Sequence, residues 1–106
     1  MNKKDIFIKL RDKFKDAKEV SSLYSDLHEG LEKTGYLDHD YFEHLKDKSG
    51  YDEFLRVNEL SAKECGTALT FILRAEKYSD GVFDSYVNNG NIYKMLAHMC
   101  EVIDEK

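Results

Sequence analysis

The amino-acid sequence predicts an all-α protein, a compact bundle of five or six helices around one central apolar helix at about residues 61–78. Three observations support this prediction. Apolar residues recur every three or four positions along most of the chain, which is the period of an amphipathic helix. The chain contains no proline, and helical folds need proline less than turn-rich β folds do. Glycines follow the ends of several apolar stripes, as they do at helix C-termini.

The first two predicted helices lie before Gly35. One covers residues 3–17, and the other runs from Val20 to about Thr34, where Gly35 can end it in a left-handed conformation. The pattern leaves open whether these helices are continuous or bend near Lys18–Ser21. A continuous helix would offer about four heptads and a seam for a coiled coil.

The middle of the chain predicts shorter elements. Asp38 or Asp40 can cap a third helix, which carries Tyr41, Phe42 and Leu45. The polar residues 46–50 then end at a glycine. We expect the next segment to be a connector anchored by four apolar side chains, Tyr51, Phe54, Leu55 and Val57.

The central helix begins with a capping box. Ser61 and Glu64 have the spacing at which each side chain bonds the other residue's backbone N–H. The helix that follows is the most apolar segment of the chain and is apolar on more than one face, which places it in the middle of the bundle. A short helix over 82–88 follows it, and then a final helix whose apolar stripe consists of Ile92, Met95, Leu96, Met99, Cys100 and Ile103. Asn89–Gly90 is also a hairpin signal, but the flanking residues come in apolar pairs and do not alternate.

Composition indicates one cytoplasmic domain over residues 1–106. Hydrophobic residues make up 42% and charged residues 35% of the chain, as in a folded globule. No apolar run approaches the length of a membrane-spanning helix. Cys65 and Cys100 fall on apolar faces, so we expect two buried, reduced thiols, with a disulfide or redox pair as the alternative.

The charge is divided unevenly along the chain. Residues 1–18 carry a balance of +4, whereas the remaining residues carry −9. Most of the surface therefore repels nucleic acid, and the short helix 82–88, which contains Asp84 and no basic residue, is a poor reader of a DNA groove. The basic N-terminal helix could be an arm that binds an anionic partner, a solvated helix, or a helix docked on its own protein.

Three charged side chains are the candidate catalytic residues. Arg74, Glu76 and Asp80 lie around the end of the most apolar helix, just before Gly81. A carboxylate pair beside a buried helix end can have a raised pKa and transfer protons. The alternative is structural, because the same spacing is typical of an exposed face with ion pairs and caps.

Other signals are weaker. Asp40 and His44 lie one helical turn apart and could bind a metal, but no third ligand is near in sequence, and we expect no cofactor. No phosphate-binding loop or nucleophile elbow occurs. Aromatic and polar residues near helix edges or ends are candidate binding residues for a partner; they are Tyr78, Asn89 and Tyr93, with Tyr24 and Tyr86 as further aromatic candidates.

The segment from Thr67 to Gly81, followed by Asn89–Gly90–Asn91–Ile92 and Leu96, resembles the C-terminal signature of a family of small bacterial helical proteins, domain of unknown function 6508. Gly35–Tyr36–Leu37 with Asp40–Tyr41 resembles its middle region, and the match covers about residues 20–99. Lys77–Tyr78 stands where the family often has arginine and phenylalanine, and the tryptophans of its middle region are absent. The resemblance implies a single helical domain, and it carries over no activity because none is established for the family.

These observations favour a small accessory protein that acts through contacts with another protein or with a second copy of itself, and that has no catalytic activity. The rival hypothesis is a small enzyme or ligand-binding protein that uses Arg74, Glu76 and Asp80 in a cleft.

Overall fold

The computed structural model describes residues 2–15, 20–45 and 53–103. Within these ranges the chain is helical and contains no strand, which confirms the all-α prediction. The elements in chain order are α1 (Lys3–Lys15), α2 (Val20–Thr34), α3 (Tyr41–Leu45), a 3₁₀ helix (Phe54–Glu59), α4 (Ala62–Tyr78), α5 (Val82–Asn88) and α6 (Asn91–Val102).

Helix α4 is the central helix that the sequence predicts. Helices α2, α3, α5 and α6 all pack against it, and Cys65, Ala68, Leu69 and Ile72 are fully buried. Burying a side chain the size of Leu69 contributes about 2 kcal/mol to folding. The capping box is present: the N–H of Glu64 donates to Ser61 Oγ at 3.2 Å, and the N–H of Ser61 donates to Glu64 Oε1 at 3.0 Å.

Helices α1 and α2 fold back on each other as a helical hairpin. Lys13 Nζ lies 3.3 Å from Asp26 Oδ2, whereas residues this far apart in one continuous helix would be separated by about 20 Å. The continuous-helix alternative is therefore wrong. The junction at residues 16–19 lies outside the described residues.

Helix α1 is docked by its apolar face, on which Phe7, Leu10 and Phe14 are buried. It packs against both α2 and α6. The Phe7 ring lies edge-on to Tyr36 at 5.7 Å between centroids, and Phe14 lies edge-on to Phe83 at 6.2 Å. The basic residues of α1 therefore belong to a helix whose apolar face is part of the core.

Two predicted chain breaks lie at left-handed glycines. Gly35 has φ +82°, and beyond it the N–H groups of Tyr36 and Leu37 donate to the carbonyl of Leu31 at 2.9 and 3.0 Å, closing the end of α2. Gly90 has φ +81° and lies between α5 and α6. The hairpin alternative at Asn89–Gly90 is therefore wrong.

The connector before α4 is a 3₁₀ helix, and only part of it is anchored. Phe54 is buried and Val57 packs partly against the core, but Leu55 is 83% exposed. A 3₁₀ helix has three residues per turn, so Phe54 and Val57 share one side while Leu55 falls on another. The expectation that Leu55 anchors the connector is wrong. Residues 46–52, including the predicted break at Gly50 and the anchor Tyr51, lie outside the described residues.

Both cysteines are free and buried, as predicted. Burial raises the pKa of the Cys65 thiol to about 12 and also raises the pKa of the Cys100 thiol. No helix in the described part of the chain is long and apolar enough to cross a membrane.

Candidate functional site

Glu76, one of the three candidate catalytic residues, caps the helix that follows it. Its carboxylate accepts hydrogen bonds from the N–H of Gly81 at 3.2 and 3.3 Å and from the N–H of Phe83 at 2.8 Å. These groups lie at the start of α5, where backbone N–H groups lack helical partners and the helix dipole favours a negative charge. The structure thus gives Glu76 a definite role in joining α4 to α5.

The other two candidates do not pair with Glu76. Arg74 is half-buried and Asp80 is exposed, and among the described residues neither forms a salt bridge. Arg74 lies near Tyr24, whose hydroxyl donates to the carbonyl of Leu73 at 2.8 Å. Burial raises the pKa of Tyr24, and the positive charge of Arg74 partly opposes that rise. A catalytic role for Arg74, Glu76 and Asp80 stays a prediction.

The candidate binding residues lie in three different settings. Tyr78, the last residue of α4, is 89% exposed. Asn89 accepts a hydrogen bond from the N–H of Asn91 at 2.9 Å and so shapes the turn between α5 and α6. Tyr93 is half-buried against the core. Of these three, Tyr78 presents the most side chain to a partner.

Among the described residues, a second polar cluster lies around Asp38, against the first half and the middle of α4. One carboxylate oxygen of Asp38 accepts from Thr67 Oγ1 at 2.6 Å and lies 2.5 Å from His44 Nδ1; the other accepts from the N–H of Asp40 at 2.9 Å. The N–H of Asp38 itself donates to Thr70 Oγ1 at 3.0 Å. A carboxylate only accepts, so His44 Nδ1 carries the hydrogen. The cluster ties α3 and the loop before it to α4.

The environment of Asp38 favours its charged form. Its side chain is only 10% exposed, and this burial by itself raises the pKa of the carboxyl. Hydrogen bonds from Thr67, from His44 and from the backbone of Asp40 outweigh burial and hold the pKa below its ordinary value. An ionised Asp38 is therefore part of the folded state at neutral pH.

The sequence offers little sign of the α4 side of this cluster. Thr67 and Thr70 are buried. Position 66 beside them is a glycine, because the carbonyl oxygen of Tyr36 passes close by. A Cβ atom at position 66 would lie 2.5 Å from that oxygen. The one available signal is the occurrence of a glycine and two threonines within the apolar run of residues 65–73, where buried hydroxyl groups need hydrogen-bond partners.

His44, one of the predicted pair Asp40 and His44, bonds to a different carboxylate, that of Asp38. His44 turns its Nδ1 to Asp38, and its N–H donates to the carbonyl of Asp40 at 3.1 Å as part of helix α3. Among the described residues, no three His, Cys, Asp or Glu side chains are grouped so as to hold a metal ion. Metal binding by Asp40 and His44 stays a prediction.

The Asp38 cluster contains an acid, a histidine and a hydroxyl, but not in the order of a nucleophilic triad. In such a triad the hydroxyl bonds to the histidine, which in turn bonds to the acid. Here the Thr67 hydroxyl donates directly to Asp38, and a second oxygen, the Lys63 carbonyl, lies 3.2 Å from it. The arrangement holds elements together and is not that of a triad.

Comparison with known proteins gives one match. No curated protein and no solved structure matches the chain. A family model described as "Family of unknown function (DUF6508)" matches residues 10–105, which include every helix described above except the start of α1. The chain belongs to this family of unknown function, DUF6508.

Proposed function

We propose that this protein is a small accessory module of the bacterial cytoplasm that binds a partner protein and has no catalytic activity. The observation that carries the proposal is the position of Tyr78. This large aromatic side chain is 89% exposed at the end of the central helix. Exposed aromatic residues are enriched at protein interfaces, because a rigid ring buries much area for little loss of conformational freedom.

The backbone around Tyr78 supports the same conclusion. The N–H of Ser79 donates to the carbonyl of Ala75 at 3.0 Å, and Glu76 fixes the start of α5 just beyond. An anchor residue on a rigid support binds with less loss of entropy than one on a mobile loop. The surface of Tyr78 is therefore preorganised for contact.

The charged side chains nearby support binding over catalysis. Glu76 is occupied by two backbone N–H groups at the start of α5, and at the opposite end of α4 Asp38 is occupied by Thr67, His44 and Asp40. A general base must lie within hydrogen-bond reach of the substrate proton that it abstracts, whereas these two carboxylates are turned toward donors of their own chain. These carboxylates are used to join helices.

Photo-crosslinking in living cells tests the proposal. We expect p-benzoylphenylalanine in place of Tyr78 to give one or a few discrete adducts, and the same group in place of the exposed Lys94 on α6 to give none of them. An adduct of twice the monomer mass would identify a second copy as the partner. The absence of adducts from position 78, or the same adducts from both positions, would contradict the proposal.

A second experiment tests the absence of catalysis. Arg74→Ala is compared with the wild type for melting temperature and for whatever cellular phenotype deletion of the gene produces. We expect Tyr78→Ser, which removes the aromatic anchor, to reproduce the phenotype of the deletion. We expect Arg74→Ala not to reproduce it. A full phenotype from Arg74→Ala, with unchanged stability and unchanged crosslinking from position 78, would favour the enzyme hypothesis instead.

A further inference from the structure

We propose that the groove between α1 and α2 binds an acidic amphipathic helix from a partner protein. This groove is remote in sequence from Tyr78, and the inference does not depend on that residue. The groove is an open cleft of about 370 Å³ between the two arms of the helical hairpin. Its lining residues are Ile6, Lys9, Leu10, Lys13, Asp26, Glu29, Gly30 and Lys33.

The floor of the groove is apolar, because the side chain of Leu10 packs onto Gly30 there. Gly30 faces Leu10 so closely that a Cβ atom there would lie 2.6 Å from Leu10 Cδ1. Ile6 is half-buried beside them. An amphipathic helix binds such a floor with apolar side chains at positions i, i+3, i+4 and i+7.

The charges beside the floor set the chemistry of the occupant. Lys13 pairs with Asp26 at 3.3 Å and Lys33 pairs with Glu29 at 2.6 Å, so these four charges balance within the groove. Lys9 is exposed and forms no salt bridge with any described residue. The groove therefore has one uncompensated positive charge, on a protein whose net charge is −5.

A second cleft extends the positive surface. It has a volume of about 430 Å³ and lies between the start of α1, the end of α2 and the start of α4. Lys3 of α1 and Lys63 of α4 both line it, and Lys3 Nζ lies 5.5 Å from the centre of the Tyr36 ring. The one carboxylate in its lining, that of Asp38, is turned toward Thr67 and His44.

The two clefts are neighbours along one face of α1. Lys3, Ile6 and Lys13 are spaced so that they lie on the same side of a helix, and Gly30 and Thr34 are one turn apart on α2. From Lys3 to Lys13 the surface extends about 15 Å, or roughly three helical turns. Acidic side chains that flank an apolar stripe of this length would face Lys3, Lys9 and Lys63.

Fluorescence anisotropy with designed peptides tests the inference. The probe is a labelled helix of about 14 residues, with leucine at the four stripe positions and glutamate elsewhere; a lysine version of the same pattern is the control peptide. We expect only the acidic peptide to bind the full-length protein. Its affinity should fall with salt, because exposed charge pairs are screened.

Matched charge reversals locate the binding. We expect Lys9→Glu to weaken binding of the acidic peptide about tenfold, and Lys94→Glu, the same charge change on exposed α6, to weaken it less than about twofold. Equal effects of the two variants, or equal binding of the lysine peptide, would overturn the proposal. Circular dichroism of both variants confirms that each is folded before binding is measured.

A spin label on the acidic peptide provides a second test. We expect selective broadening of the methyl resonances of Ile6 and Leu10. Broadening confined to other methyl groups would overturn the proposed location. Sedimentation of the free protein tests whether a second copy of the chain occupies the groove instead. A dimer that Lys9→Glu dissociates would show that it does, and this result too would overturn the proposal of an acidic partner helix.

Discussion

The two ends of helix α4 use their polar residues in opposite ways. In its first half, Thr67 and Thr70 are buried and bind Asp38 from a loop about thirty residues earlier. At its last turn, Glu76 bonds the backbone of the residues that follow next in the chain, and Tyr78 faces solvent. One end joins distant segments, whereas the other joins neighbouring segments and leaves an aromatic side chain exposed.

This difference explains where sequence reasoning found a candidate site. Arg74, Glu76 and Asp80 lie close together in sequence, so their density is visible in the sequence. The Asp38 cluster is denser in space, but its members lie between positions 38 and 70 and meet only after folding. The proximity of polar residues in sequence and their proximity in space are separate properties.

Substitutions along α4 test this comparison, and we expect the largest loss of stability at Gly66. In Gly66→Ala the new Cβ meets the Tyr36 carbonyl oxygen at 2.5 Å, and neither backbone can move away easily. Overpacking of this kind costs about 2–3 kcal/mol, even after the better helix propensity of alanine is counted. Urea denaturation measures the loss.

Gly30→Ala is the control, because there the one atom closer than 3.0 Å to the new Cβ is at the flexible end of the Leu10 side chain. We expect a loss of less than about 1 kcal/mol. If both variants lost the same stability, the close approach of the loop to α4 would not be the cause.

Removal of Asp38 is the next largest effect. Asp38→Ala deletes the acceptor of three hydrogen bonds in a mostly buried site, and we expect it to lower the free energy of unfolding by about 2 kcal/mol. Asp40→Ala, in the same loop but exposed, should change it by less than about 0.5 kcal/mol. Similar losses from the two variants would indicate that the cluster does not hold the loop.

At the other end of α4 we expect a smaller effect. Glu76→Ala removes a side-chain cap from α5 and should cost about 1 kcal/mol, measured by thermal unfolding. Asp80→Ala, which changes an exposed neighbour, should leave the melting temperature nearly unchanged. A loss for Glu76→Ala larger than that for Asp38→Ala would reverse the comparison between the two ends.

The smallest effect is a dependence of stability on pH. Because the pKa of Asp38 is lowered in the folded protein, its contribution is present above the ordinary carboxyl pKa of about 4 and is lost as the pH falls through the lowered value. The wild type should therefore lose more stability than Asp38→Asn between neutral and strongly acidic pH. Parallel unfolding curves for the two proteins across that range would contradict this account.

Much of the fold could be predicted because its signals are local. The Ser61–Glu64 capping box, the left-handed Gly35 and the apolar stripe of α4 each depend on residues within one or two helical turns. The candidate site was harder to predict. The sequence contains Glu76, but nothing near it in the chain shows that its carboxylate points to the start of α5 and not into a cleft.

The sequence by itself determined where the helices lie, where two of them stop, and which faces are apolar, since these follow from helical period, backbone conformation and capping. Only the tertiary structure decided that α1 turns back on α2, that Leu55 faces solvent while Phe54 beside it is buried, and that Asp38 joins α3 to α4. The physical reason is that these features depend on contacts between segments far apart in the chain. Such contacts are selected by the packing of the whole core, and no local pattern encodes them.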